Sequence, residues 1–347
     1  MVAAPTGFAA RWRAAYVAIG SSVFIWGGSD SAGGVLDSGA IYSPVTDTWT
    51  PVAKDAYTPT ARVLATAVWT GSVVVVFGGS DTTGVTPYKD GALYDPAKNA
   101  WSAMPAASKA RSASLGFWDG TRAIFWGGIG ATGAAVSGAE SFDLATWTPA
   151  STNGDPGALL NPAAGWDGTF LYLEGGQLAG ARTDKVFSYA RVIDTWTALS
   201  KSLSTRSNAF GAWDGARFVV WGGIDNGGLR NDGAYYQGTA TWPALSTVAA
   251  PSARMAVPRR AGWLFETSPG MLALFGGQTS PSGPGTFTTT GATYDVVNGK
   301  WSLAAAFPSG ELHDYGVAVW TGDEFVLWGG RTGAALAPTL TGERWKP

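Results

Sequence analysis

Seven times along the 347 residues a short apolar run closes on a pair of glycines. The pairs are Gly27-Gly28, Gly78-Gly79, Gly127-Gly128, Gly175-Gly176, Gly222-Gly223, Gly276-Gly277 and Gly329-Gly330. Successive pairs stand 51, 49, 48, 47, 54 and 53 residues apart. Such a period describes one supersecondary unit stacked on copies of itself, since no single copy can bury its own apolar face. The repeat runs from end to end, so the chain reads as one repeat domain rather than two globular ones.

The second copy shows what the unit is. Residues 62–69, RVLATAVW, read as a strand, and Thr70-Gly71 suits a tight hairpin turn. Residues 72–77, SVVVVF, form the continuous apolar run expected of a strand buried on both faces. After Gly78-Gly79 and a loop, residues 90–94 read as a third strand, and a turn over 95–99 leads to a short fourth strand carrying Trp101. Four antiparallel strands joined by tight turns make one propeller blade. The 49 glycines and the 14% of charged residues fit many short strands and turns.

Tryptophans keep the same register. One precedes the first turn at Trp69, Trp118, Trp166, Trp213, Trp263 and Trp320, and one marks the fourth strand at Trp49, Trp101, Trp147, Trp196, Trp242 and Trp301. Trp26, Trp126, Trp221 and Trp328 stand directly before their glycine pairs. Large rings at fixed places fill the space between stacked sheets. Trp12 stands outside this register.

The expected fold is therefore all-β: a seven-bladed β-propeller of four-stranded antiparallel blades. The blades fall near 11–52, 62–103, 111–149, 159–198, 206–244, 254–303 and 311–347. Trp345 aligns with the tyrosine of a third strand, so residues 1–10 are expected to complete the last blade. A shortened outer strand there would leave an edge open to another chain.

The glycine pair after an apolar strand, the Tyr94-Asp95-Pro96 turn, and Trp101 seven residues after Tyr94 together resemble the Kelch repeat. The resemblance covers essentially the whole chain. The phrases AVWTG at 67–71 and FWGG at 125–128 are similar to bacterial Kelch arrays of secreted proteins, which implies an extracellular or periplasmic location. Residues 1–10 carry no signal-peptide pattern. Unit four departs most, with Glu174 where other units place an aromatic ring, and unit six carries an insertion at 265–270.

One chemical pattern follows the repeat. Seven residues before the first-strand tryptophan stand Arg62, Arg111 and Arg206, and Arg11 and Arg254 fill the same slot. Leu159 holds it in unit four and His313 in unit seven. If first strands line a channel, these side chains ring its mouth on the face of the variable glycine-pair loops. Five guanidiniums and an imidazole suit a carboxylate, sulfate or phosphate. The Kelch resemblance implies that arginines at this position hold acidic peptides. The same arginines also suit ion pairs with Asp37, Asp90, Asp184 or Asp232 at the starts of third strands, which would hold blades together. Asp30, Asp81 and Asp225 follow glycine pairs and suit bonding to their own loop backbone.

The leading expectation is a monomeric, non-enzymatic binding module without a cofactor, whose partner is an acidic peptide, protein or glycan. An alternative is an acidic-sugar lyase or epimerase, because Glu311, His313 and Tyr315 share one face of a strand and pair an imidazole with a phenol. A third is an assembly protein using the open edge of the last blade. The net charge of −2 provides no global field for nucleic acid. With no cysteine and one histidine, thiolate and multi-histidine metal sites are excluded. No apolar run reaches the roughly 18 residues of a membrane-spanning helix.

Overall fold

Short β-branched and aromatic runs punctuated by glycine turns have too little length for helices and pair instead as meanders. The computed structural model describes residues 4–5, 7–82, 86–201, 203–247, 263–268, 270–275, 291–304, 315–332 and 337–346. They belong to two units, Met1–Ala150 with His313–Lys346, and Ser151–Leu312.

The first unit holds three four-stranded antiparallel sheets in simple chain order. Their strands are Ala15–Ile19, Ser22–Trp26, Gly39–Ser43 and Thr48–Val52; Thr66–Trp69, Val74–Phe77, Gly91–Asp95 and Ala100–Ala103; and Leu115–Trp118, Ala123–Trp126, Ala139–Phe142 and Trp147–Pro149. A fourth sheet has three strands, Val317–Trp320, Phe325–Trp328 and Gly342–Trp345. The second unit holds two four-stranded sheets, Ala163–Trp166, Phe170–Glu174, Val186–Ala190 and Thr195–Leu199, and Trp263–Ser268, Met271–Phe275, Gly291–Asp295 and Lys300–Ala304. Between them in sequence lies a three-stranded sheet, Phe210–Trp213, Phe218–Trp221 and Gly233–Tyr236. Its outer position is filled by a single bridge from Ala234 to Ala244.

The second strand of each repeat is the most buried. Val74, Val75, Val76 and Phe77 have no exposed surface, as the unbroken apolar run requires. At four of the glycine pairs the ring before the pair packs on the outer-strand tryptophan of the following repeat. Trp26 meets Trp101 at 5.5 Å, Phe77 meets Trp147 at 4.7 Å, and Trp328 meets Trp49 at 5.2 Å in the first unit. Trp221 meets Trp301 at 4.7 Å in the second. These outer tryptophans also anchor the links between repeats. The indole N–H of Trp101 donates to Ala53 O at 3.0 Å, and that of Trp301 to Ser246 O at 2.7 Å. Each ring thus brings apolar area and one satisfied polar atom.

One expectation changes. The first strand of the second repeat begins at Thr66, not Arg62, because Leu64 is left-handed with φ 55° and breaks the extended run. Of the N-terminal segment expected to complete the last repeat, residues 1–3 and 6 lie outside the described residues. Its Phe8 is buried against Trp49 at 5.7 Å and Trp328 at 5.4 Å. A single ring there fills the seam between the last and first repeats.

Candidate functional site

The left-handed residue two places after the arginine slot recurs at Arg13, Leu64, Ala113, Asn161, Asn208 and Tyr315, with φ between 50° and 57°. The turn frees its backbone to bond the next repeat. In the first unit Arg13 N donates to Tyr315 O, Leu64 N to Arg13 O, and Ala113 N to Leu64 O, at 3.2, 2.9 and 2.8 Å. In the second unit Asn208 N donates to Asn161 O at 3.0 Å.

That kink also decides where the slot arginines point. Arg11, Arg62, Arg111 and Arg206 are at most 1% exposed. Each turns back into its own sheet. Nη1 of Arg62 donates to Gly78 O at 2.9 Å and to Asp90 Oδ1 at 3.0 Å, and Nε donates to Thr60 O. Arg206 repeats this on Gly222 O and both carboxylate oxygens of Asp232. Arg111 reaches Gly127 O and Gly138 O, and its acid is Glu140, two residues further along the third strand, at 3.1 Å. Arg11 has Ser38 in that place and bonds its carbonyl and hydroxyl. Without a carboxylate to offset desolvation, burial pulls the Arg11 guanidinium down to about 10.

The backbone of the same arginines serves the preceding repeat. Arg62 O accepts Gly28 N, Arg111 O accepts Gly79 N, and Arg206 O accepts Gly176 N, at 2.9, 2.9 and 2.8 Å. Each arginine is thus a clamp between two glycine pairs. The four described arginines of the expected channel mouth are interior, and a guanidinium without exposed surface presents nothing to a ligand. The ion pairs to Asp90 and Asp232 form inside one repeat, not between neighbours, while Asp37 pairs with Lys54 and Asp184 with Lys201. Asp30 and Asp225 bond their own loop backbones through Gly34 N and Gly227 N. Arg254, Glu311 and His313 lie outside the described residues.

A different cationic group forms in the first unit. Trp12, outside the tryptophan register, has the guanidiniums of both Arg13 and Arg331 over its ring, each 4.0 Å from the centroid. Tyr315 meets Trp12 edge-on at 5.8 Å and is 53% exposed. Both guanidiniums also lie over the Tyr315 ring, at 5.2 and 5.7 Å. Three chain segments build this cluster. Trp12 is fixed by paired backbone bonds with Ser29 at 3.1 and 2.9 Å, Arg13 and Tyr315 by the left-handed turn, and Arg331 by the short strand Arg331–Thr332 after the last glycine pair. Stacking on an indole fixes the plane of a guanidinium. Tyr315 therefore sits among arginines and an indole. Sequence spacing singled out Trp12 and Tyr315 separately but missed Arg13 and Arg331, whose only signal is their offset from the arginine slot and the last glycine pair.

Residues 11–55 match the family model of the Kelch motif. The span begins at the arginine slot and takes in Gly27-Gly28, Tyr42 and Trp49, one complete four-stranded repeat. The match and the recurrent four-stranded antiparallel sheets support a Kelch-repeat β-propeller. No curated protein matches the chain.

Proposed function

We propose that this protein is a non-enzymatic binding module whose partner is an acidic segment of another protein, held at the Trp12, Arg13, Arg331 and Tyr315 cluster. Kelch repeats in general mediate protein binding, and the seven glycine-pair repeats are read as seven blades of one propeller. The carrying observation is the pair of guanidiniums stacked on one indole beside a half-exposed phenol. Oriented guanidiniums favour planar carboxylates, and the rings add apolar contact to a neighbouring side chain. The slot arginines contribute stiffness: they tie each glycine-pair loop to its sheet, so that the surface is preorganised.

The test is calorimetric titration with glutamate- and aspartate-rich peptides, wild type against the double variant Arg13→Ala/Arg331→Ala. Binding should weaken by at least about tenfold and lose much of its salt dependence, while Tm changes little. Retained affinity in the double variant would sink this reading.

A further inference from the structure

Glu174 closes the strand Phe170–Glu174 at the place where other repeats put Trp26, Phe77, Trp126, Trp221 or Trp328. Its neighbour Tyr172 supplies the aromatic contact instead, stacking on Trp213 at 5.6 Å and on Phe218 at 5.5 Å. The carboxyl is left 1% exposed, and neither oxygen has a hydrogen-bond partner among the described residues.

The charged groups facing it are Arg206, Asp184 and Asp232. Arg206 has no donor to spare. Nε goes to Ser204 O, Nη1 to Gly222 O and Asp232 Oδ1, and Nη2 to Ser204 Oγ and Asp232 Oδ2. Asp232 is further held by Arg230, and Asp184 by Lys201. Of the three acids, Glu174 alone receives no donor, and two carboxylates already face it. A buried acid so placed keeps its proton. Burial, the largest cause, pushes it up to about 8 against the partial pull of Arg206.

Glu174 also roots a loop. Directly after it, Gly176 N donates to Arg206 O at 2.8 Å, Thr183 N to Gly176 O at 3.0 Å, and Arg206 N to Thr183 O at 3.1 Å. The hairpin between, Gln177–Leu178 paired with Ala181–Arg182, reaches the fifth repeat through Arg182, which donates to Ser207 Oγ at 3.3 Å and Asn226 Oδ1 at 3.0 Å. We propose that Glu174 is a proton-operated latch for this hairpin. Neutral, it lets Arg206 and Asp232 stay paired beneath the loop; ionised, it repels Asp184 and Asp232, competes for Arg206 and releases residues 175–183 from the fifth repeat. The latch belongs to the second unit and the acidic-segment site to the first.

Hydrogen exchange of Gly176, Thr183 and Arg206 amides tests it. The opened form gives up the proton at the ordinary carboxylate value, so the opening constant rises tenfold per pH unit until the buried acid itself titrates. From about pH 5.5 to about 7.5 the wild type should open about a hundredfold more readily, after correction for intrinsic exchange. Glu174→Gln should show no such rise. An equal rise in both proteins overturns the latch. If Glu174→Gln does not fold, Glu174→Leu makes the same comparison. In either case, a wild-type Glu174 carboxyl carbon titrating in the ordinary glutamate range by NMR also overturns it.

Discussion

Arg111 and Glu140 form the most completely buried ion pair among the described residues, with side chains 0% and 2% exposed and 3.1 Å apart. Replacing Arg111 with Met leaves the Glu140 carboxylate without its cation, held by neutral donors of Ser108 and Lys109. It also strips Gly127 O of its Arg111 donor and leaves Gly138 O with the Gly127 N–H alone. An unpaired buried charge costs about 3–5 kcal/mol, and each lost carbonyl bond about 1 kcal/mol more. Arg111→Met is therefore expected to lose about 5 kcal/mol. Glu140→Leu leaves a guanidinium that keeps two carbonyl acceptors, so about 3 kcal/mol is expected. The double variant removes both charges and leaves only neutral backbone groups short of partners. Its loss should fall about 2–3 kcal/mol below the sum of the single variants. Urea unfolding followed by tryptophan emission reads all four corners of the cycle. Single losses under about 1 kcal/mol, the range of exposed pairs, would refute the reasoning, as would additivity within about 0.5 kcal/mol.

The acid limb follows from the same pair. Burial raises the Glu140 carboxyl, but the Ser108 hydroxyl and N–H and the Arg111 guanidinium together outweigh it and hold it below its ordinary value. A depressed carboxylate contributes stability above its unfolded pKa and loses it as pH falls through the folded one. Tm of the wild type should therefore fall more steeply below the ordinary glutamate range than Tm of the Arg111→Met/Glu140→Leu variant, by differential scanning fluorimetry. Gly27 has φ 71°, and a Cβ there would lie 2.8 Å from Arg62 O, the clamp carbonyl. Gly71 has φ 96° and open space around it. Gly27→Ala should cost about 1–2 kcal/mol more than Gly71→Ala by the same unfolding assay, because only the first displaces backbone as well as straining φ.

Most of the strand plan was legible because apolar runs, tight turns and glycine pairs are local signals. Val74–Phe77, the Thr70-Gly71 turn and the third strand Gly91–Asp95 lie where the pattern put them, within a residue or two. The arginine slots were legible as positions but not as environments. Their direction is set by a left-handed residue two places later, such as Leu64 or Ala113, and nothing in those residue types announces φ near 50°. The acid for Arg111 was missed because the regular place is held by Gly138 and the carboxylate has moved to Glu140. The Trp12 cluster was hidden for another reason: Trp12 and Arg13 lie about 300 residues before Tyr315 and Arg331 in the chain and meet them only where the last repeat packs on the first.

The sequence by itself determined the repeat, its strand order and the aromatic register, since these depend on hydrophobic period and turn chemistry within about fifty residues. Tertiary structure decided which charges are interior and which face outward. A guanidinium is long enough to serve a loop ligand or a buried carbonyl from the same Cα, and only the backbone kink and the neighbouring repeat select between them. That selection places Arg62, Arg111 and Arg206 in the scaffold, Arg13 and Arg331 over an indole, and Glu174 under a loop with no partner for its carboxyl.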